Sequence, residues 1–494
     1  MAVLLCCGGA VAVVTWALTG NRIDTVGKVD FTNKLAIPPL ATSTVDSRGR
    51  RVFDLTAQEG IHDFGSGRVS PAWGFNGSYL GPTLRAKAGE QVVVNVKNTL
   101  GQKTTVHWHG MHLPAVMDGG PHQQVAPGAT WSPNWVIDQP ASTLWYHPHL
   151  HGETAAHVYK GLAGMFILDD PTATSLALPQ AYGVDDIPLI VQDKAFGSDG
   201  ELTERTPFLS GVGILGDEIA VNGTHSPYLD VTTRLVRLRI LNGSNARVFN
   251  FGFSDNRPFS LIGTDGGLLD KPASMNRIQL ASGERAEIVV AVTPGERTVV
   301  RSYDPDQGSD FDALNGGADT FDILELRAAA TLSPSPDVPA ALVPIDRLNP
   351  SDAKVTRKFS LSGHSINGKQ MDMNRIDFAA QVDTTEIWEV FNNDGDPHSF
   401  HVHDVQFLIL TLNGAPPPPH LTGWKDTIFV PSDTYYRVIM RFTDYTDPNI
   451  PYMYHCHVLY HEDAGMMGQF AVVNPGQAPG TPPAYRSGTD HAGH

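Results

Sequence analysis

Cysteine is nearly missing from this chain of 494 residues, which holds three, two of them adjacent as Cys6 and Cys7. Beyond that pair only Cys456 remains, so the body of the protein cannot close an internal disulfide. Basic residues are also short: 35 Lys and Arg against 52 Asp and Glu leave a formal charge of −17. No basic stripe with interleaved aromatics offsets this, which excludes nucleic acid as a partner. Long apolar runs are confined to the start, where MAVLLCCGGAVAVVTWAL is almost free of charge. Residues 1–29 therefore read as an export leader or a membrane anchor, and export to a periplasm, cell envelope or extracellular space is the expectation. No Lys or Arg precedes the stretch, and Cys6 and Cys7 are either a lipid attachment point or small packed residues.

Glycine and proline are plentiful, at 48 and 36 residues, and Val, Thr and aromatic runs recur between turn signals. Together these favour an all-β globular protein. The length is too great for one core, and a domain per roughly 100 to 200 residues suggests about three.

Internal repetition supports that number. VNVKNTLGQKTTVHWHG places Asn98 nine residues before His107 and eleven before His109, and WEVFNNDGDPHSFHVHD places Asn392, His401 and His403 at the same offsets. VRLRILNGSNARVFNFGF keeps the frame, but Asn242 is followed there by Phe251 and Phe253. The outer copies also share a second block: Tyr146-His-Pro-His149 precedes GLAGMFIL, and Tyr454-His-Cys-His457 precedes GMMGQFAV. The reading is three consecutive β-sandwiches of Greek-key type over residues 30–170, 171–337 and 338–475, followed by a disordered tail over 476–494. His491 and His494 in that tail are expected to be solvated.

Residues i and i+2 of a strand share a face, so each His-x-His presents two imidazoles to one locus. Four such pairs, His107/His109, His147/His149, His401/His403 and His455/His457, stand at repeat-equivalent places in the outer domains. Chance supplies about one pair in a chain this rich in histidine. Eight imidazoles converging between the first and third domains are costly to protonate together, which calls for metal. A second site is read from His398, Cys456, His461 and Met466, since one thiolate, two imidazoles and a weak thioether form the ligand set of a blue-copper electron-transfer centre. Cys456 lies between His455 and His457, so a few covalent bonds separate the two sites.

With HWHG, WYHPHLHG, HSFHVH and HCHVLYHEDAGM, the chain resembles the three-domain multicopper oxidases, the family of laccases and bacterial copper-efflux oxidases, over nearly all of its body. The resemblance implies cupredoxin-like domains and four copper ions. By position, a type 1 copper falls to His398, Cys456, His461 and Met466, and a type 2 copper to His107 and His401. The type 3 pair falls to His109, His147 and His457 on one ion and to His149, His403 and His455 on the other. It further implies four one-electron oxidations of a small reductant coupled to reduction of dioxygen to water, with Glu462 and Asp118 relaying protons.

Phenols or aromatic amines and Cu(I) are the candidate reductants. The Met-rich insertion of the copper-efflux oxidases is absent: Met371 and Met373 are a thin remnant, and a Met pair at strand spacing is usually core. Asp372, Asp394 and Asp396 offer a cation landing site beside His398, or Asp394 and Asp396 only shape the NNDGDP turn. His112, His122, His151 and His157 fall off the shared strand face, and His62, His225, His364 and His420 belong to no motif, so none is counted as a ligand. Two rival readings are a copper-sequestering or scaffold protein without turnover and a copper nitrite reductase.

Overall fold

The computed structural model describes residues 22–309 and 312–484. The expectations for the leader up to residue 21, with Cys6 and Cys7, and for His491 and His494 lie outside them. Among the described residues no helix is long and apolar enough to cross a membrane.

Six sheets stack in pairs into three cupredoxin-like sandwiches. In the first, the sheet holding Arg51–Gly65, Arg68–Phe75 and Gln91–Asn98 faces a four-stranded sheet ordered Leu84–Lys87, Gly164–Asp169, Ser142–His147, His107–His109. Alternation along Gln91–Asn98 puts Val92, Val94 and Val96 into the core with Trp108, Tyr146 and Phe166. The third domain repeats the plan: Ala353–Ser362, Thr384–Asn392 and Tyr435–Phe442 face a sheet carrying His398–Val402, Tyr452–Cys456 and Met467–Val473. The second domain packs a larger core of Ile, Leu, Val and Phe, and Phe251 and Phe253 of the repeat frame lie within it.

The repeated asparagines have one job in all three domains. Each is fully buried at the end of a strand, and its side-chain oxygen accepts from the amide two residues on: Leu100 for Asn98, Ser244 for Asn242, Asp394 for Asn392. Its side-chain nitrogen donates to two carbonyls, those of Gln102 and Val125, Arg247 and Leu280, Asp396 and Val430 respectively. The turn into the next strand is thereby closed without unsatisfied polar groups. The second shared block has a steric basis: Tyr146 pairs across the sheet with Gly164 and Tyr454 with Gly468, and a Cβ at either glycine would overlap the tyrosine ring or hydroxyl.

The segment ahead of the first sandwich, read from sequence as part of the domain from residue 30 onward, makes contacts with the second. Asn33–Lys34 pairs in parallel with Pro227–Thr233 of the second domain, and Leu35 packs in that domain's core. A two-residue strand carries no periodicity that could reveal its partner.

Candidate metal centre

Register builds the histidine cluster. His107 faces His147 across one antiparallel pair of strands and His401 faces His455 across another. The remaining members, His109, His149, His403 and His457, follow two residues later on the same faces. All eight imidazoles are buried. Donor atoms of His109, His147 and His457 lie within 4.8 Å of one another, as do those of His149, His403 and His455, and of His107, His109 and His401.

The outward ring nitrogens are held by the protein. Nδ1 of His107, His147, His401 and His455 lies 2.8 to 3.1 Å from the carbonyls of Asp118, Pro148, Asp426 and Cys456, and Nδ1 of His403 is 2.7 Å from Asp118 Oδ2. Such contacts fix ring orientation and leave the other nitrogen as a lone pair. Nε2 of His107, His401 and His457 is buried with no hydrogen-bond partner. Burial and the neighbouring imidazoles hold His109, His401 and His403 well below the ordinary value of 6.5, burial and His457 do the same for His147, and burial takes His149 and His457 down to about 3. Neutral rings with inward lone pairs are the form that binds a metal ion.

Cys456 lies between two cluster histidines in the chain but points to the opposite face of its strand, where it meets His398 and His461. Its Sγ is 3.5 Å from His398 Nδ1 and 3.6 Å from His461 Nδ1, and the two nitrogens are 3.2 Å apart. A point equidistant from three atoms so spaced is about 2 Å from each, a first-row metal–ligand distance. Against the cost of burial, His398 and His461 pull the thiol down to about 5, so sulfur is present as the thiolate at neutral pH. Met466 is buried in the same core, and its carbonyl accepts from the Cys456 amide at 3.0 Å. The donor sets therefore fit copper, softer at the sulfur site and all-imidazole at the cluster.

The two predicted carboxylates are both buried against the cluster. Asp118 Oδ1 is 3.3 Å from His107 Nδ1, while Glu462 lies 3.3 Å from Nδ1 of both His149 and His455. Asp118 Oδ1 and both Glu462 oxygens lack a hydrogen-bond partner. Asp118 also leads into a tight turn, since the following Gly119 has φ of 82° and a Cβ there would overlap the Val106 carbonyl.

Asp394 and Asp396 are engaged locally. Asp394 contacts His398 Nε2 at 3.2 Å and accepts from the amides of Gly363 and Asp396, while Asp396 accepts from the Asn315 side chain at 2.9 Å. Met373 is core and Asp372 is exposed. Of the histidines left out, His112 bridges Asp404 and Asp444, His157 contacts Gln102, and His122 contacts Gln469. The His364 ring lies 5.1 Å from that of His461.

Several neighbours have no sequence signal. The Gly211 carbonyl of the second domain is 3.0 Å from His461 Nε2, Ser282 Oγ is 3.3 Å from His457 Nδ1, and Asp426 Oδ1 is 3.1 Å from His109 Nε2. None lies in a repeated frame. The glycine of HWHG is the nearest hint, because a Cβ at Gly110 would meet Asp426 Oδ2.

Known proteins agree with this geometry. Three models of the multicopper oxidase family match residues 57–173, 193–316 and 343–476, about one per sandwich. The chain is 37% identical over 445 residues to cell division protein FtsP of Dickeya dadantii, covering 88% of this chain and 92% of that one. To the multicopper oxidase mco of Staphylococcus haemolyticus it is 35% identical over 450 residues, covering 90% and 93%. The structure of the laccase-like multicopper oxidase CueO from Ochrobactrum sp. superposes with a TM-score of 0.81 at 38% identity, covering 89% of this chain and all of that one. Three repeated sandwiches, buried histidine groups of the kind that hold type 1 and trinuclear copper, and full-length likeness converge: the chain belongs to the multicopper oxidase family.

Proposed function

We propose that the protein is an oxidase that takes single electrons from small aromatic donors and passes them in fours to dioxygen. One observation carries this: the Cys456 thiolate joins His398 and His461 on one strand face, while its chain neighbours His455 and His457 sit in the eight-imidazole cluster on the other. Copper bound there would supply reversible one-electron transfer at the sulfur site and reduction of dioxygen to water at the cluster. In this reading His398, Cys456, His461 and Met466 hold a type 1 ion, His107 and His401 a type 2 ion, and the two remaining imidazole triplets a type 3 pair.

The chain's own groups provide the rest. Asp118 holds His403 through Oδ2 and keeps Oδ1 free beside His107, so Oδ1 is the atom placed to take up and release a proton. Glu462 occupies the same relation to His149 and His455 on the other flank. Burial of the whole cluster keeps bulk water out of the site.

Aromatic donors are favoured over Cu(I) because Asp394 and Asp396 are tied into their turn and Met373 into the core, leaving Asp372 and the half-buried Met371 as the accessible members of that set. The Ochrobactrum relative is described as active towards lignin model compounds. Export of the protein accompanies this reading, and fractionation of the producing cells tests it.

A scaffold role is the competing reading, since one relative is named a cell division protein. The complete donor sets at two linked sites favour turnover, because sequestration has no use for a thiolate bridging them. Copper-loaded protein is expected to be intensely blue and to consume oxygen with 2,6-dimethoxyphenol. Cys456→Ser is expected to abolish both. Fully metallated protein that is colourless, or blue without oxygen uptake on phenol or Cu(I), overturns the reading.

A further inference from the structure

Of the eight cluster imidazoles, seven turn Nε2 inward. His107, His401 and His457 have Nε2 buried and unpartnered, Nε2 of His149 and His403 lie 3.1 and 3.2 Å from Nε2 of His455, and His147 Nε2 faces His109 Nδ1 at 3.4 Å. His109 is the exception: its Nδ1 looks inward and its Nε2 outward. A neutral imidazole carries one N–H, so an inward lone pair at Nδ1 requires the proton on Nε2 and an acceptor waiting there.

Two acceptors stand there, Asp426 Oδ1 and Thr427 Oγ1, each 3.1 Å from His109 Nε2; the Thr427 hydroxyl in turn donates to Asp426 Oδ1 at 2.8 Å, so the charge at this spot is that of Asp426. The carboxylate is gripped by both terminal nitrogens of Arg285, at 2.7 and 2.6 Å. This fork-to-fork geometry fixes the plane of the carboxylate as well as its charge. Arg285 is fully buried and anchored three more times, to the carbonyls of Thr143 at 3.0 Å, Gly283 at 3.0 Å and Asp265 at 3.1 Å. Gly110, directly after His109, has φ of 84°, and any Cβ there would collide with Asp426 and Arg285.

We propose that Arg285 and Asp426 form a positioning pair through which the second domain, itself without cluster ligands, locks His109 with Nδ1 turned toward the metal. The inference rests on the copper-cluster reading above. It gives the second domain a part in the site: its guanidinium reaches a carboxylate of the third domain that orients a histidine of the first. Outer contacts of this kind are worth about 10- to 100-fold in metal affinity.

Asp426→Asn, the double variant Asp426→Asn/Arg285→Gln and the milder Arg285→Lys are loaded with copper, reduced without oxygen and titrated with bathocuproine disulfonate. Copper retained per chain and, after reoxidation, blue absorbance are read together. The double variant avoids stranding a buried guanidinium, which alone threatens the fold. The cluster of the Asn variants is expected to yield its copper at about 10- to 100-fold less chelator, with the blue centre intact, and Arg285→Lys is expected to fall between them and the parent. Equal retention in all variants, or loss from both centres in parallel, overturns the proposal. A parent protein that takes up no cluster copper refutes instead the functional reading on which it stands.

Discussion

Acidification should unfold the copper-free protein well above the pH at which carboxylates protonate. Six cluster imidazoles, those of His109, His147, His149, His401, His403 and His457, are held neutral by burial, the third and sixth down to about 3. In the unfolded chain each returns to about 6.5. For a base whose folded pKa is depressed, the stabilisation is complete above the unfolded value and is lost as pH falls below it. Between pH 7.5 and 5.5 each such group shifts the balance by about 1.4 kcal/mol toward the unfolded chain, so six give a ceiling of about 8 kcal/mol. Other groups act in the opposite sense. Burial and then Glu462 raise Asp463 to about 7, and, against burial, Glu462 raises His455, Cys456 raises His398 to about 9 and Asp404 raises His112 to about 10. Allowing for them leaves on the order of 2 to 3 kcal/mol, still a measurable share of a domain's ordinary stability.

The assay is the first urea transition of the copper-free protein at the two pH values, repeated after copper loading. Copper replaces protons on the inward nitrogens and is expected to remove most of the dependence. A copper-free protein equally stable at pH 7.5 and 5.5 would refute the claim that the cluster is built from neutral, desolvated imidazoles. So would a loss of the same size with copper bound.

Three further outcomes follow from single contacts. Glu462→Gln removes the carboxylate beside His149 and His455, so reoxidation of the reduced protein by dioxygen should slow by about 100-fold with copper content and blue colour unchanged, as stopped-flow absorbance would show. Arg239→Met takes the close guanidinium from the buried carboxylate of Asp186, while Glu287 keeps Arg237, and should cost about 3 to 5 kcal/mol, read as a lower thermal midpoint. Gly119→Ala forces a Cβ into the Val106 carbonyl at a positive φ, and the shifted Asp118 should be seen as reduced cluster copper by elemental analysis; a folded variant with full copper would contradict this.

Local periodicity by itself determined the ingredients. Alternation along a strand puts His107 with His109, His401 with His403, and His455 with His457 on shared faces, and it turns Cys456 away from its neighbours toward a separate site. The repeated Asn frame, whose three members make the same turn-closing bonds, was legible for the same reason: the interaction spans a few residues and recurs at fixed spacing. What lay beyond the sequence depends on packing between domains. Asp426, Ser282 and Gly211 reach His109, His457 and His461 from segments more than a hundred residues away, and Arg285 reaches Asp426 across a similar separation, with no period to announce them. The strand Asn33–Lys34 joined the second sandwich through hydrogen bonds any short segment can offer. Asp394 and Asp396 read from sequence as either turn or cation site, and only the structure shows that Gly363 and Asn315 each donate to one of their oxygens. Residue spacing fixes which side chains share a face, whereas the meeting of two faces is set by the burial of whole domains against each other, and that is a property of the tertiary structure alone.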